Sequence, residues 1–415
     1  MKNSRTNNGA PRDERTFLET DIMAAARRNC QIPEDFCNCN VRLPIVSARD
    51  QKETGRCWIE AGLGDIEYRV FQVTGKSLPS LSSEYLAYHD LKQKVHLFLK
   101  QIEATKHLPI DNALCTHFLK KPIQDAGQWS VFLELLDRVG VMPSECMKHS
   151  IHHENTHVLL AGLCQKLRCC AGRIRDDSVP LSILEEETDS MIDRCLGVPP
   201  TQFLFDGKLT TPEEFYQKNI ACHLSMDDLS VICVPAAERP FFTSYKVKWL
   251  YSTTETGSPI QHYHVPPKLF SAMIKAQLTE GMPVWIGSDA SQFSDKKRGI
   301  FDTKMYAFEE LFNTTLWLPK GKAMLYQDSM MSHAMLLWGV SDAGWCVRNS
   351  FGADVGQNGY AWMSNEWFDR YVYQAVIRKT IISRFLDWNE INRAPVRLLE
   401  PWDAIGCLAG KDYNH

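Results

Sequence analysis

Hydrophobic periodicity changes character once along this chain, near Gly281, and that change limits the available folds more than any other feature. From residue 81 to about residue 277, apolar side chains recur mostly at helical spacing. Ser82-Ser-Glu84 can cap a helix carrying Tyr85, Leu86, Tyr88, Leu91, Val95 and Phe98, and Trp129, Phe132, Leu133, Leu136 and Val139 mark a second. Residues 157–168 and 181–195 continue the trend, and Thr211-Pro-Glu-Glu214 opens another helix, with proline in its first turn and acids at the positive end of its dipole. After Gly281, short apolar segments bounded by turn residues predict strands over 283–287, 334–340, 345–348, 360–363 and 371–377. A block of helices followed by a block of strands predicts an α+β fold with a twisted, mostly antiparallel sheet.

At 415 residues the chain is two to three times the usual domain size, which calls for more than one core or one core with a large insertion. Lys+Arg 46 against Asp+Glu 50 gives a net charge of −4, so the basic footprint that nucleic acid or an anionic membrane demands is missing. No run approaches the roughly 18 apolar residues of a membrane span. The first twenty residues are polar, without the apolar core of a signal peptide, and the 14 cysteines are scattered; a cytoplasmic protein with reduced thiols is expected.

The chemistry is concentrated at Cys57. The turn-rich stretch Gln51-Lys-Glu-Thr-Gly55-Arg runs directly into Cys57-Trp58-Ile59 and a helical segment, which places the thiol in a first helical turn, where the dipole favours a thiolate. A cysteine nucleophile needs an imidazole and a group to orient it, both usually distant in sequence. His333 heads the strand predicted over 334–340, and Asn349 ends the one over 345–348; the 16-residue separation fits two antiparallel strands and a turn, which would set the two side chains together.

These residues carry a resemblance. Gln51-x-x-x-Gly55-x-Cys57-Trp58, Ser332-His333-Ala334 and Asn349-Ser350 followed by an aromatic and Gly352 resemble, in the same order, the three active-site blocks of papain-like cysteine proteases. Within that superfamily the chain resembles the bleomycin hydrolase family, the cysteine aminopeptidases also called aminopeptidase C. The match extends to Leu81-Ser-x-x-Tyr85-Leu, Asp125-Ala-Gly127-Gln128, Thr211-Pro-x-Glu-Phe215, Gly359-Tyr-x-x-Met363 and Pro401-Trp402-Asp403. Cys57 and His333 stand 276 residues apart, against roughly 130–150 in ordinary papain-like chains. The excess coincides with the helical stretch, and in this family an inserted helical hook drives hexamer assembly.

The resemblance implies a papain-like fold and a Cys-His-Asn aminopeptidase acting on peptide substrates without metal or organic cofactor. It implies Cys57 as nucleophile, His333 as base and then acid, Asn349 as the holder of the imidazole, Gln51 as an oxyanion donor, and Gly127 with Trp58 at the substrate cleft. Residues 1–16 are expected to form a mobile extension, 17–80 to carry the cysteine helix, and 81–280 to hold the helical part with the hook. Residues 281–388 are expected to form the sheet with His333 and Asn349, and 389–415 an extended arm reaching toward the active site. In the family the arm ends in the cleft near Ala409. Six more residues follow here, 410–415, and self-trimming near Ala409 is expected.

Four departures from the family pattern bear on activity. Ala126 replaces a glycine. Glu60 replaces an aromatic, and a buried carboxylate facing the same way as Cys57 would raise the thiol pKa. Phe351 replaces a tryptophan over the Asn–His bond, and Arg348 replaces an acidic residue, altering a surface contact. A different class of function is a weakened hexameric scaffold with a binding role, nucleic acid included, although the net charge lends that no support. His153-Glu154-Asn155-Thr156-His157 also matches the helical zinc motif H-E-x-x-H, with Glu185 and Asp189 downstream as candidates for a third ligand and a residue supporting the ligands, which would make a metallopeptidase. Cys37-x-Cys39 and Cys169-Cys170 lack zinc-ribbon spacing.

Overall fold

The computed structural model describes residues 18–28, 39–251 and 259–406. The extension at 1–16 and the end of the arm, with the expected trimming near Ala409, lie outside them. In chain order the strands are β1 (Val41–Arg42), β2 (Phe203–Phe205), β3 (Lys208–Thr210), β4 (Asp228–Ile232), β5 (Thr243–Tyr251), β6 (Pro259–His264) and β7 (Val284–Ser288). There follow β8 (Ser294–Asp295), β9 (Ile300–Phe301), β10 (His333–Val340), β11 (Gly344–Arg348), β12 (Tyr360–Ser364), β13 (Val372–Arg378) and β14 (Val396–Leu399). All but the β2–β3 hairpin join one sheet in the order β14-β5-β6-β4-β13-β7-β10-β11-β12-β9-β8, with β1 also on β10.

The centre of this sheet explains its sequence. Every residue of β7, β10, β11, β12 and β13 is buried, because both faces are covered, so these strands read as continuous apolar runs instead of alternating ones. On one face lies helix Cys57–Thr74, packing Trp58, Ile59 and Leu63 against Trp285, Leu336 and Trp338. On the other lies helix Pro267–Thr279, packing Phe270, Met273 and Ile274 against Ile286, Leu337, Val347 and Ile377. The cysteine helix is buried almost all round. Gly62 permits this, since a Cβ there would stand 2.6 Å from the Phe132 ring of helix Trp129–Val139. The helix stops at Gly75, whose φ of 68° closes a left-handed cap with its N–H on Phe71 O.

The helical insertion has a core of its own. Leu91, Val95 and Phe98 of helix Ser83–Thr105 meet Leu163, Leu167 and Ile174 of His157–Asp176 and Leu184 and Ile192 of Leu181–Leu196. The insertion therefore buries its apolar faces within itself as well as against the sheet domain.

Two boundaries need correction. The helical part does not run to 280: it ends at Ala221, and β4, β5 and β6 belong to the main sheet. The signal was present in β5, where Tyr245 and Val247 point inward while Lys246 and Lys248 are more exposed, the period-two pattern of a half-buried strand. The segment after 388 is not simply extended, because helix Trp388–Arg393 precedes β14, which pairs in parallel with β5 from Val396↔Ser244 to Leu399↔Val247. Among the described residues, no helix is long and apolar enough to cross a membrane.

Candidate active site

The loop before Cys57 is stitched to the segment that follows β11. Gln51 N donates to Ser350 O at 2.9 Å, Gly352 N donates to Arg49 O at 3.1 Å, and Asp50 and Phe351 form an antiparallel bridge. The same loop leads into the helix whose first residue is Cys57. Cys57 Sγ accepts a hydrogen bond from Ala334 N at 3.3 Å, so the thiol rests against the start of β10, next to His333. The β10–β11 register, with Leu336 opposite Arg348, puts Asn349 just past the end of β11 on the same side. His333 Nε2 and Asn349 Oδ1 are 2.9 Å apart.

Asn349 Oδ1 also accepts from Ser350 N at 2.8 Å. An atom that takes a backbone N–H must be the amide oxygen, so His333 Nε2 carries the proton and Nδ1 keeps its lone pair. The Phe351 ring stacks on the imidazole at 4.9 Å and 14°, and Lys296 Nζ stands 4.0 Å from the Phe351 centroid. Gln51 is held at both ends of its amide: Nε2 donates to Thr54 O at 2.6 Å, and Oε1 accepts from Ser350 Oγ at 2.7 Å.

Burial dominates the electrostatics. It pushes the Cys57 thiol up to about 12, against the Ala334 N–H, which pulls it down, and together with the Asp125 charge, which adds to the rise. It pushes the His333 imidazole down to about 4, opposed by the Asn349 bond and reinforced by Lys296. Burial thus favours the uncharged form of both groups.

A Cys-His-Asn set at the meeting of a central helix and a sheet narrows the possible families, and the chain's relatives decide among them. The model of the Peptidase C1-like family matches residues 19–406. The chain belongs to the Peptidase C1-like family. Aminopeptidase C of Streptococcus thermophilus is 32% identical, across 92% of this chain and 91% of its own length. Human bleomycin hydrolase is 28% identical across 87% and 86%. The crystal structure of PepW from Lactobacillus rhamnosis HN001 is similar with a TM-score of 0.85 at 29% identity, covering 95% of this chain and 94% of its own. As a member of this family the chain is a papain-like cysteine peptidase.

Against the Peptidase C1-like pattern, the departures take places that differ from the expected ones. Glu60 is buried, with 3% of its surface exposed, but it does not face the thiol unpaired: Arg49 Nε lies 2.6 Å from its Oε2, and Arg49 Nη1 2.6 Å from Glu67 Oε1. The acid that acts on Cys57 is Asp125. Arg348 is not a surface residue. It is 6% exposed, lies over the Trp338 ring, donates through Nη2 to Ser47 O at 2.6 Å, and lines a cavity of about 460 Å³ with Arg49, Glu60 and Glu67. That cavity touches neither Cys57 nor His333.

Trp58 is fully buried, its Nε1 donating to Asp125 O at 2.8 Å and its ring filling the space where a Gly127 Cβ would stand, 2.4 Å away. It supports the Asp125–Gly127 segment from beneath instead of lining a cleft. Ala126 is also buried, and its carbonyl accepts from Lys94 Nζ at 2.6 Å.

The H-E-x-x-H match is not a single helix. His153 lies in the short helix Ile151–Glu154, which ends one residue later; Asn155 is extended at φ −147° and ψ 109°, and His157 begins the next helix, so the imidazoles are not one turn apart on one face. His153 Nε2 pairs with Leu196 O, and Asp189 pairs with His96 and Lys92. No group of three or more metal-ligating side chains occurs among the described residues. Sequence reasoning missed Lys296 and Arg49, and gave no role to Asp125 or Ser350 within the motifs that contain them. For Arg49 there was a signal, because Glu60 and Glu67 lie two turns apart on one face of a largely buried helix, and the buried Glu60 requires a cation.

Proposed function

We propose that this chain is a thiol aminopeptidase that hydrolyses peptide or amide bonds near a free N-terminus, with Cys57 as nucleophile, His333 as general base and acid, and Asn349 as the residue orienting the imidazole. The observation that carries the reading is the double acceptance by Asn349 Oδ1, which leaves His333 Nδ1 as the free base at the start of β10, where Cys57 Sγ also rests. As Sγ bonds to the carbonyl carbon, its proton passes to Nδ1, and the carbonyl π electrons move to oxygen. Collapse of that intermediate expels the amine, which leaves with the imidazolium proton, and water releases the acyl group with His333 again as base.

Burial favours the uncharged forms of thiol and imidazole, which suits proton transfer during attack. The developing oxyanion is met by the Cys57 N–H and the Gln51 amide, and Gly127 contributes backbone to the cleft. Aminopeptidase C and bleomycin hydrolase as relatives support the restriction to free N-termini.

Assembly into a hexamer through the helical insertion fits its unburied apolar residues: Leu204 and Leu209, cross-strand partners on the β2–β3 hairpin, are largely exposed, as are Ile151 and Val158. A cytoplasmic location fits the eleven described cysteines, all free thiols. The test compares fluorophore release from an aminoacyl amide with a free α-amine and from its N-acetyl counterpart. The reading requires strong preference for the free amine, and equal rates on both would overturn it.

A further inference from the structure

The segment that imitates a metal motif closes against the loop leading to Cys57. Glu53 N donates to Glu154 O at 2.9 Å within a parallel bridge between Glu53 and Asn155, and Arg56 Nη2 donates to His153 O at 2.5 Å. Thr156 Oγ1 donates to Asp125 Oδ2 at 2.6 Å, and the same oxygen accepts from Gly55 N at 2.7 Å. Thr156, Asp125 and Arg56 are all buried, and Asp125 Oδ1 takes no hydrogen bond among the described residues. The carboxylate takes one donor from the catalytic loop and one from the insertion, and each bond is strengthened by its burial.

The Gly55 N–H and the Thr54 C=O belong to one peptide unit. Its N–H end is held by Asp125 and its C=O end accepts from Gln51 Nε2 at 2.6 Å. The next carbonyl, Gly55 O, lies 3.9 Å from Cys57 Sγ. Rotating that plane would withdraw the Gln51 amide and shift the carbonyl beside the thiol together. No methyl could be tolerated at the contact, since a Cβ on Gly55 would stand 2.2 Å from Asp125 Oδ1.

We propose that Thr156 and Asp125 are positioning residues: through the Thr54–Gly55 peptide, the inserted helical part sets the orientation of the Gln51 amide and the Cys57 thiol. The inference rests on the catalytic reading above. Neither residue touches the reacting atoms; each acts through the plane between them. A small misplacement of an oxyanion donor lowers turnover far more than binding.

The experiment measures kcat and KM on an aminoacyl fluorophore for the full chain carrying Thr156→Val, Thr156→Ser, Gln51→Ala and the Thr156→Val/Gln51→Ala pair, with Cys57→Ala as control. Thermal melting of each variant sets an assay temperature at which all are folded. Thr156→Val is isosteric and removes only the donor, so kcat should fall about tenfold with KM within about twofold, whereas Thr156→Ser should retain most of the turnover. In the Gln51→Ala background the Thr156→Val change should cost little more, because both act on one element. Unchanged kcat in Thr156→Val, equal loss in Val and Ser variants, a loss confined to KM, fully additive losses, or a Gln51→Ala variant with wild-type kcat would each overturn the proposal. Turnover surviving in Cys57→Ala would instead overturn the catalytic reading itself, so the two failures are distinguishable.

Discussion

Replacing Arg49 by methionine removes the cation that neutralises Glu60 and Glu67 of the cysteine helix. Burial works against the Arg49 charge, but Glu67 and Glu60 outweigh it and hold its pKa above the ordinary value. Three bonds disappear in the variant: Nε to Glu60 at 2.6 Å, Nη1 to Glu67 at 2.6 Å and Nη2 to Leu81 O at 2.6 Å. Glu60 would be left almost wholly buried without its partner. Breaking a buried pair in this way costs about 3–5 kcal/mol, whereas removing both partners is close to neutral. In thermal melting, Arg49→Met should therefore lower Tm by roughly 3–6 °C, and Arg49→Met/Glu60→Gln should recover much of the loss. Glu60→Gln alone should leave kcat within about threefold of wild type, because the charge that raises the Cys57 thiol is that of Asp125. A Glu60→Gln enzyme with tenfold higher kcat, or an Arg49→Met protein as stable as wild type, would refute this account of the helix.

Lys296→Met should raise the His333 pKa, since the lysine helps hold it down, and a base that must be neutral then loses activity at higher pH: the acid limb of kcat/KM should move up by about 0.3 unit at low salt and hardly at all at high salt, and an unmoved limb at low salt would contradict the stacking arrangement. Burial likewise pushes His262, His264 and His89 down to about 4, so the unfolded chain binds protons more readily than the folded one between about pH 6.5 and 4. Stability present in full above that window should be lost as pH falls through it, and a Tm that stays flat from pH 7.5 to 4.5 would be inconsistent with neutral buried imidazoles. Glu154→Gln and treatment with o-phenanthroline should both leave peptidase activity intact, because Glu154 contributes a backbone carbonyl to the catalytic loop; loss of activity with the chelator would revive the metal reading.

What was legible in the sequence was whatever local patterning controls. The strands from β10 to β13 announce themselves as short apolar runs between turn residues, and Cys57 follows a turn-rich loop directly. Their joining into one site was legible only because His333 and Asn349 lie on adjacent antiparallel strands, where sequence separation translates into distance. The partners of buried charges were not legible. Arg49 stands in a loop and meets a helix face two turns long, and Arg348 reaches Ser47 from the end of β11, so neither contact follows from periodicity. The same holds for Thr156, which looked like a spacer within H-E-x-x-H until the chain bent at Asn155 and carried the hydroxyl to Asp125.

The central claim is that one thiol, Cys57, performs the hydrolysis. Labelling the enzyme with a thiol-directed epoxide, followed by peptide mass mapping alongside residual activity, tests it most directly. The account predicts one equivalent bound at Cys57, with activity falling in proportion to that single adduct. Full modification of Cys57 with activity retained, or complete inactivation with Cys57 unmodified, would contradict it.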